Sequence, residues 1–243
     1  MKTFPYLLLL VLGSISCQPI DMGEERQQLP GKLLRSIEQD GEAFSTYTYF
    51  PDGRLQSYTI NTTTFAYRYA GDSMQLETMN QDGSLRLTEK YYPSSNNVVR
   101  KDQYNAQGDL REYWHYFFND FECFFVGIGK YRPNGELYEA IVIERDLNDC
   151  SYTATTKDSN GETQNSEAIT RGDGNDPLQV VLLDFLGFDQ VLLNGSYTFS
   201  DAAGEIDESR SYTAEFTFNT DNYPVWERRT FLNGEVQILN YYY

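Results

Sequence analysis

A single histidine, His115, serves the whole chain, so any serine–histidine–aspartate or cysteine–histidine relay has to run through it. It lies in Tyr113-Trp114-His115-Tyr116-Phe117-Phe118, a run that reads as an aromatic strand, and a packing or surface role is the simpler expectation. A zinc centre needs further Cys, Asp or Glu at ligand spacing, and no such cluster accompanies it, so no metal ligands are assigned. There is no phosphate loop, dinucleotide fingerprint or paired-histidine metalloprotease motif, and no cofactor is expected. Among 36 acidic residues some pair always has glycosidase spacing, so an acid-pair polysaccharide hydrolase stays open without being singled out. Asp173-Gly174-Asn175-Asp176 offers the oxygens calcium takes but lacks the full loop spacing and a closing Glu, so an ordinary turn is expected. Arg171-Gly172-Asp173 is an adhesion-type tripeptide that is common by chance. Tyr113, Trp114 and Tyr116 are the candidate ligand-binding aromatics: rings on a sheet suit sugar rings or a protein partner. The simpler role for them is cross-strand packing.

These residues sit in a sequence built from one recurring turn. It reads Asp52-Gly53-Arg54-Leu55, Asp82-Gly83-Ser84-Leu85, Gln107-Gly108-Asp109-Leu110, Asn134-Gly135-Glu136-Leu137, Asn160-Gly161-Glu162, Ala203-Gly204-Glu205-Ile206 and Asn233-Gly234-Glu235-Val236. Asp-Gly and Asn-Gly supply the positive φ of two-residue hairpin turns, and Tyr, Thr, Val, Ile and Phe favour strands on either side. Reversals rich in Asn, Asp, Ser and Pro fall half a period later, at Asn61–Thr63, Pro93–Asn97, Asn119–Phe121, Asp146–Asp149 and Asp221–Pro224. The expectation is an all-β antiparallel meander of about 12–14 strands from hairpin repeats. Such a sheet has to curl, close into a barrel or split into two sheets. Tyr212, Ala214, Phe216 and Phe218 share one face, with Ser211, Thr213, Glu215 and Thr217 on the other. The gap of 43 residues between Gly161 and Gly204 holds an apolar stretch, 177–187, that reads as a short helix or plug, or equally as a buried strand.

Cys123 and Cys150 each lie 15 residues after a repeat glycine, hence at equivalent places two strands apart. At ~4.8 Å per strand that exceeds disulfide reach. Either a bend near the strand ends pairs them or both remain thiols.

Residues 1–16 do not read as part of this fold. Lys2, the apolar run Phe4 to Leu12 and the small or polar Gly13-Ser14-Ile15-Ser16 follow the order of a secretory signal, too short to span a bilayer. Ile15-Ser16-Cys17 resembles the lipobox of bacterial lipoproteins, with Ser14 where that family usually has leucine. The resemblance implies cleavage before Cys17 and lipid on its thiol. Residues 17–30 then form a tether and 31–243 a single β-repeat domain. The formal net charge of −17 argues against nucleic-acid binding and leaves the lipid on Cys17 to supply membrane affinity.

The runs Tyr49-Phe50-Pro51-Asp52-Gly53-Arg54-Leu55, Tyr104-Asn105-Ala106-Gln107-Gly108-Asp109-Leu110 and Tyr131-Arg132-Pro133-Asn134-Gly135-Glu136-Leu137 resemble degenerate tyrosine–aspartate repeats. Phe50, Asn105 and Arg132 stand where that repeat has aspartate. With Asn175-Asp176-Pro177-Leu178, Tyr197-Thr198-Phe199 and the lipid signal, residues 33–243 resemble a family of uncharacterised envelope lipoproteins with a porin-like fold. That implies a fold and a compartment, the outer membrane on its periplasmic or outer side, and no catalytic residue. The expected function is a non-enzymatic envelope lipoprotein binding a glycan or an envelope protein, and the alternatives are a transmembrane β-barrel and the hydrolase. Cys17→Ala is expected to abolish incorporation of labelled fatty acid; continued labelling would refute the lipid anchor.

Overall fold

The computed structural model describes residues 33–71, 73–95, 98–118, 125–146, 151–171 and 194–243. Sixteen strands run through them: β1 (Ser36–Gln39), β2 (Glu42–Tyr49), β3 (Leu55–Ile60), β4 (Thr63–Ala70), β5 (Ser73–Met79), β6 (Leu85–Ser95), β7 (Val98–Asn105) and β8 (Leu110–Phe118) form one half. The other half is β9 (Phe125–Tyr131), β10 (Leu137–Asp146), β11 (Ser151–Asp158), β12 (Thr163–Arg171), β13 (Asn194–Asp201), β14 (Tyr212–Phe218), β15 (Pro224–Phe231) and β16 (Val236–Tyr242). Each strand pairs antiparallel with its neighbours in sequence, and β1 pairs with β16, Ser36 opposite Tyr242 and Gln39 opposite Leu239. The meander is therefore a closed barrel, with β13 and β14 joined by two residue pairs, Ser196 with Thr213 and Tyr197 with Tyr212. No helix occurs among the described residues; the 177–187 segment, Gly172–Asp176, Cys17, Cys123 and Cys150 lie outside them.

The strand number corrects the expected 12–14. The seven repeat turns account for fourteen strands, and β1 and β4 are the two that no repeat turn flanks. β1 ends at Asp40-Gly41, where both residues have positive φ (53° and 86°), and β4 lies between Asn61 (φ 52°) and Gly71 (φ 58°). The repeat turns themselves are not the two-residue type expected. In each, the glycine alone takes positive φ. At 50–54, the Phe50 amide donates to the Arg54 carbonyl and the Gly53 amide to the Phe50 carbonyl, at 2.8 and 2.9 Å. That is a type I turn followed by a left-handed residue that creates a one-residue bulge, and the register slips beside it, between Thr48 and Tyr49. The same pair of bonds recurs at 80–84, 105–109, 132–136, 158–162, 201–205 and 231–235. It recurs again at 219–223, where Asn222 (φ 63°) takes the glycine's place. In four of these turns the first side chain (Asn105, Asp158, Asp201, Asn219) accepts from two of the turn's own amides.

Alternation then decides which side chains face the lumen. On β2 to β5 the inward positions are Ser45, Tyr47, Tyr58, Phe65, Tyr67, Leu76 and Met74. The outward ones include Thr46, Thr48, Ser57, Thr59 and Thr64, whose hydroxyls pair across strands (Thr48 with Ser57 at 2.7 Å, Thr59 with Thr64 at 3.1 Å). Tyr212, Ala214, Phe216 and Phe218 are half-buried, while Thr213, Glu215 and Thr217 between them are exposed, as the alternation predicts; Ser211, expected on that exposed side, is instead fully buried and accepts from the Phe199 amide at 2.9 Å. The buried core lines the inner side of β1 to β8 and β16, with Leu34, Tyr67, Met74, Val99 and Leu239 at its centre. Each such side chain contributes about 1.5–3 kcal/mol by leaving water. Barrels of sixteen strands are in general wide enough to hold an internal channel.

The turns alternate between two rims. Asp40-Gly41 and the turns at Gly83, Gly108, Gly135, Gly161, Gly204 and Gly234 lie on one; Gly53 and Gly71 lie on the other, where β1 begins and β16 ends. Nothing lies within 4 Å of a Cβ built at Gly108, so its requirement is conformational. Gly108→Val is expected to cost about 1–2 kcal/mol in urea unfolding, and Gly108→Asn distinctly less, since Asn tolerates the left-handed region.

Candidate functional site

Strand β8 divides the candidate aromatics between two surfaces. Trp114 and Tyr116 point into the lumen, and Tyr113 points out, with His115 and Phe117 beside it. The three expected binding residues therefore do not form one platform; each surface has a different chemistry.

Inside, Trp114 stands in a row between Lys101 on β7 and Lys130 on β9. Both ammonium groups lie against the indole, 3.1 and 4.4 Å from a ring centre, an arrangement in which the ring's negative face offsets part of the lost hydration. Lys101, 4% exposed, donates to Glu89 Oε1 at 3.0 Å, and Gln103 reaches the same oxygen at 3.1 Å. The Tyr91 hydroxyl donates to Glu89 Oε2 at 3.2 Å. Glu112 accepts from the Trp114 indole N–H (2.8 Å) and from the Tyr138 hydroxyl (2.5 Å), and Lys130 pairs with Glu139. Burial pushes the Lys101 ammonium below its ordinary value, and Glu89 opposes that shift. Burial raises the phenols of Tyr67, Tyr91 and Tyr116, keeping them neutral hydrogen-bond donors. From this belt an aromatic wall continues through Tyr91 and Tyr116 (6.5 Å) and, on β3 and β4, through Tyr58, Phe65, Tyr67 and Tyr69. A second inward group lies on β15: Glu227, 2% exposed, accepts from Arg229 and from Tyr241, and the Arg229 guanidinium sits 5.0 Å over Tyr212.

Outside, β6 to β9 carry an aromatic and cationic face unlike the hydroxyl-bearing wall of β2 to β4. Tyr113 and Tyr131 stack at 5.0 Å with 6° between planes, and the Arg100 guanidinium lies 4.1 Å from the Tyr113 ring centre. Asp102, 6% exposed, accepts from Arg100 Nε (2.7 Å), the Tyr92 hydroxyl (2.6 Å) and the Tyr104 hydroxyl (3.2 Å). Burial, then Asp102, pushes the Tyr92 phenol up to about 12. His115 lies 5.4 Å from Tyr113 and 5.1 Å from Tyr131, and burial followed by Arg100 lowers its pKa. Opposite His115 and Phe117 the partner strand has Gly129 and Gly127. A Cβ at Gly127 would stand 2.6 Å from the Ile141 carbonyl oxygen, and one at Gly129 would stand 2.9 Å from the Tyr131 ring.

Among the described residues no group of three or more His, Cys, Asp or Glu is placed to hold a metal ion. Sequence reasoning missed the inward charges because a lone lysine or glutamate reads as solvent-facing. Counting from the turns would have found them. Lys101 lies seven residues before Gly108 and Trp114 six after it; Lys130 lies five before Gly135 and Glu139 four after it.

No family model matches the chain, and no curated protein matches it. Solved structures do. A porin-like protein from Bacteroides uniformis matches with a TM-score of 0.54 at 14% identity, over 86% of this chain and 94% of that one. A porin-like protein from Bacteroides vulgatus matches with a TM-score of 0.55 at 10% identity, over 87% and 99%. At such identities the likeness shows a common barrel fold.

Glu89→Leu strands Lys101 inside without its carboxylate. It is expected to lower stability by about 3–5 kcal/mol, whereas adding Lys101→Met restores most of the loss. Urea midpoints of the three proteins check this; an unchanged midpoint for Glu89→Leu would mean that the pair is solvated.

Proposed function

We propose that the chain is a non-enzymatic, lipid-anchored barrel of the bacterial envelope, whose wall stands in water and whose lumen takes a glycan. One observation carries this reading: the outer wall of β2 to β5 and of β12 and β13 bears hydroxyls and charges where a membrane-spanning barrel has an apolar band. On the outside, Thr48 bonds Ser57 and Thr170 bonds Ser196, and Arg68 pairs with Glu77 at 3.1 Å. The half-buried part of the inner wall, Trp114, Glu112, Gln103, Tyr58 and Phe65, combines what saccharide sites use, rings for the apolar sugar face and carboxylate and amide groups for its hydroxyls, while Lys101, Tyr67 and Tyr91 are buried. His115 faces outward among rings, away from the Glu89 and Glu112 carboxylates, so a histidine relay has no place in the lumen. The lipobox-like Cys17 supplies the anchor, and the tether reaches the rim where β1 begins.

A second reading, a barrel crossing the outer membrane, draws support from the porin-like structures that share the fold. Alkaline extraction of membranes separates the two. Cys17→Ala is expected in the soluble fraction, and retention in the pellet would favour the spanning barrel. For the lumen, Trp226→Phe leaves Trp114 as the one tryptophan. Its emission is expected to shift, and its quenching by acrylamide to fall, with oligosaccharides from a neutral and acidic panel. No change across the panel would overturn lumen binding.

A further inference from the structure

The protein carries a net charge of −17, yet the outer face of β6 to β8 gathers cations. By register, Lys90 and Arg100 point outward, and Arg111 follows on the same side of β8 two residues before Tyr113. Lys157 on β11 faces outward in the row of Arg100, His115, Gly129 and Ala140. Lys90 and Arg111 are exposed, and Arg100 and Lys157 are half-buried. Three of the acids on this side are committed elsewhere or lie to the side, while Asp109, in the turn two residues before Arg111, accepts from Asn105. Asp102 is buried under three donors, Glu77 on β5 pairs with Arg68, and Glu144 sits toward the opposite end of β10. Stacked Tyr113 and Tyr131 and half-buried Tyr104 stand between the cations.

We propose that this outer face binds a strand of acidic, uronate-bearing polysaccharide, at a site separate from the lumen. The argument is charge complementarity on an otherwise acidic body, joined to ring chemistry. Guanidinium groups bind carboxylates through paired, charge-assisted hydrogen bonds. Tyrosine edges and hydroxyls serve the sugar between successive carboxylates. From β6 to β11 the face spans five strand spacings, roughly 24 Å at ~4.8 Å each, so it suits an extended polymer more than a single headgroup. At physiological salt the Debye length is about 8 Å, so acids on the far wall do not cancel the local attraction. A membrane surface fits less well, because the face has little apolar side chain to insert: Phe117 and Val142 lie at its margin.

The test uses the full chain carrying Cys17→Ala and measures calorimetric affinity for polygalacturonate, for its methyl ester, and for phosphatidylglycerol vesicles. Polygalacturonate is expected to bind with an affinity that falls as salt rises, and the uncharged ester to bind at least about tenfold more weakly. Lys90→Gln with Arg100→Gln is expected to lose about tenfold or more. Arg100 also holds Asp102, so a second variant, Arg111→Gln with Lys157→Gln, avoids that buried contact and is expected to weaken binding in the same direction. Arg228→Gln, an exposed cation on the outer wall of β15, is expected to leave this binding unchanged, which separates a local site from an effect of overall charge. Affinity that ignores both double variants, equal binding of the ester, or binding of vesicles in place of polyuronate would overturn the assignment.

Discussion

The barrel depends on the alternation of side chains along a strand combined with closure between β1 and β16. Once Ser36 pairs with Tyr242, every strand has two partners, and a slip of one residue anywhere would turn a whole row of rings outward. The one-residue bulges beside the repeat turns fix that register. Each begins with a glycine, or Asn222, in the left-handed region, and its position is set by two backbone bonds rather than by side-chain packing. The wall's chemistry follows from the turns.

Inside this frame, charge is tolerated because it is paired and set against rings. Lys101 is almost wholly removed from water, with Glu89 on one side and the Trp114 indole on the other. Glu227 is equally enclosed by Arg229 and Tyr241. Buried pairs of this kind add little net stability, but they hold donors and acceptors in fixed directions. That is the property a polar binding lumen needs. The outer wall of β2 to β4 instead pairs Ser and Thr hydroxyls, which water satisfies equally well. The face around Arg100 departs from it.

Much of the fold was legible in the sequence, because a glycine that must take positive φ leaves a mark at every repeat. The all-β meander, the curl and the inward face of Tyr212 to Phe218 follow from that mark and from alternation. β1 and β4 were missed because the turns at Asp40-Gly41 and Gly71 fall outside the repeat spacing, although Asp40-Gly41-Glu42 carries the same Gly-Glu pair as four of the repeats. The split of Tyr113 from Trp114 follows from strict alternation, but aromatics on both faces of β8 masked which face was which. The inward positions of the charges could be counted from the turns, but that Lys101 meets the Trp114 indole appears only through pairing. Nothing in the turn pattern fixes compartment or ligand, which rest on the Cys17 motif and on the chemistry of the two surfaces.

The central claim is that the outer wall stands in water while the lumen carries the recognition chemistry. Single cysteines placed outward at Thr48, Thr155 and Thr198, with Cys123 and Cys150 replaced by serine, test it directly when intact envelopes meet a water-soluble maleimide. The account predicts labelling at all three positions before any detergent is added. Protection at these positions until detergent dissolves the bilayer would contradict it.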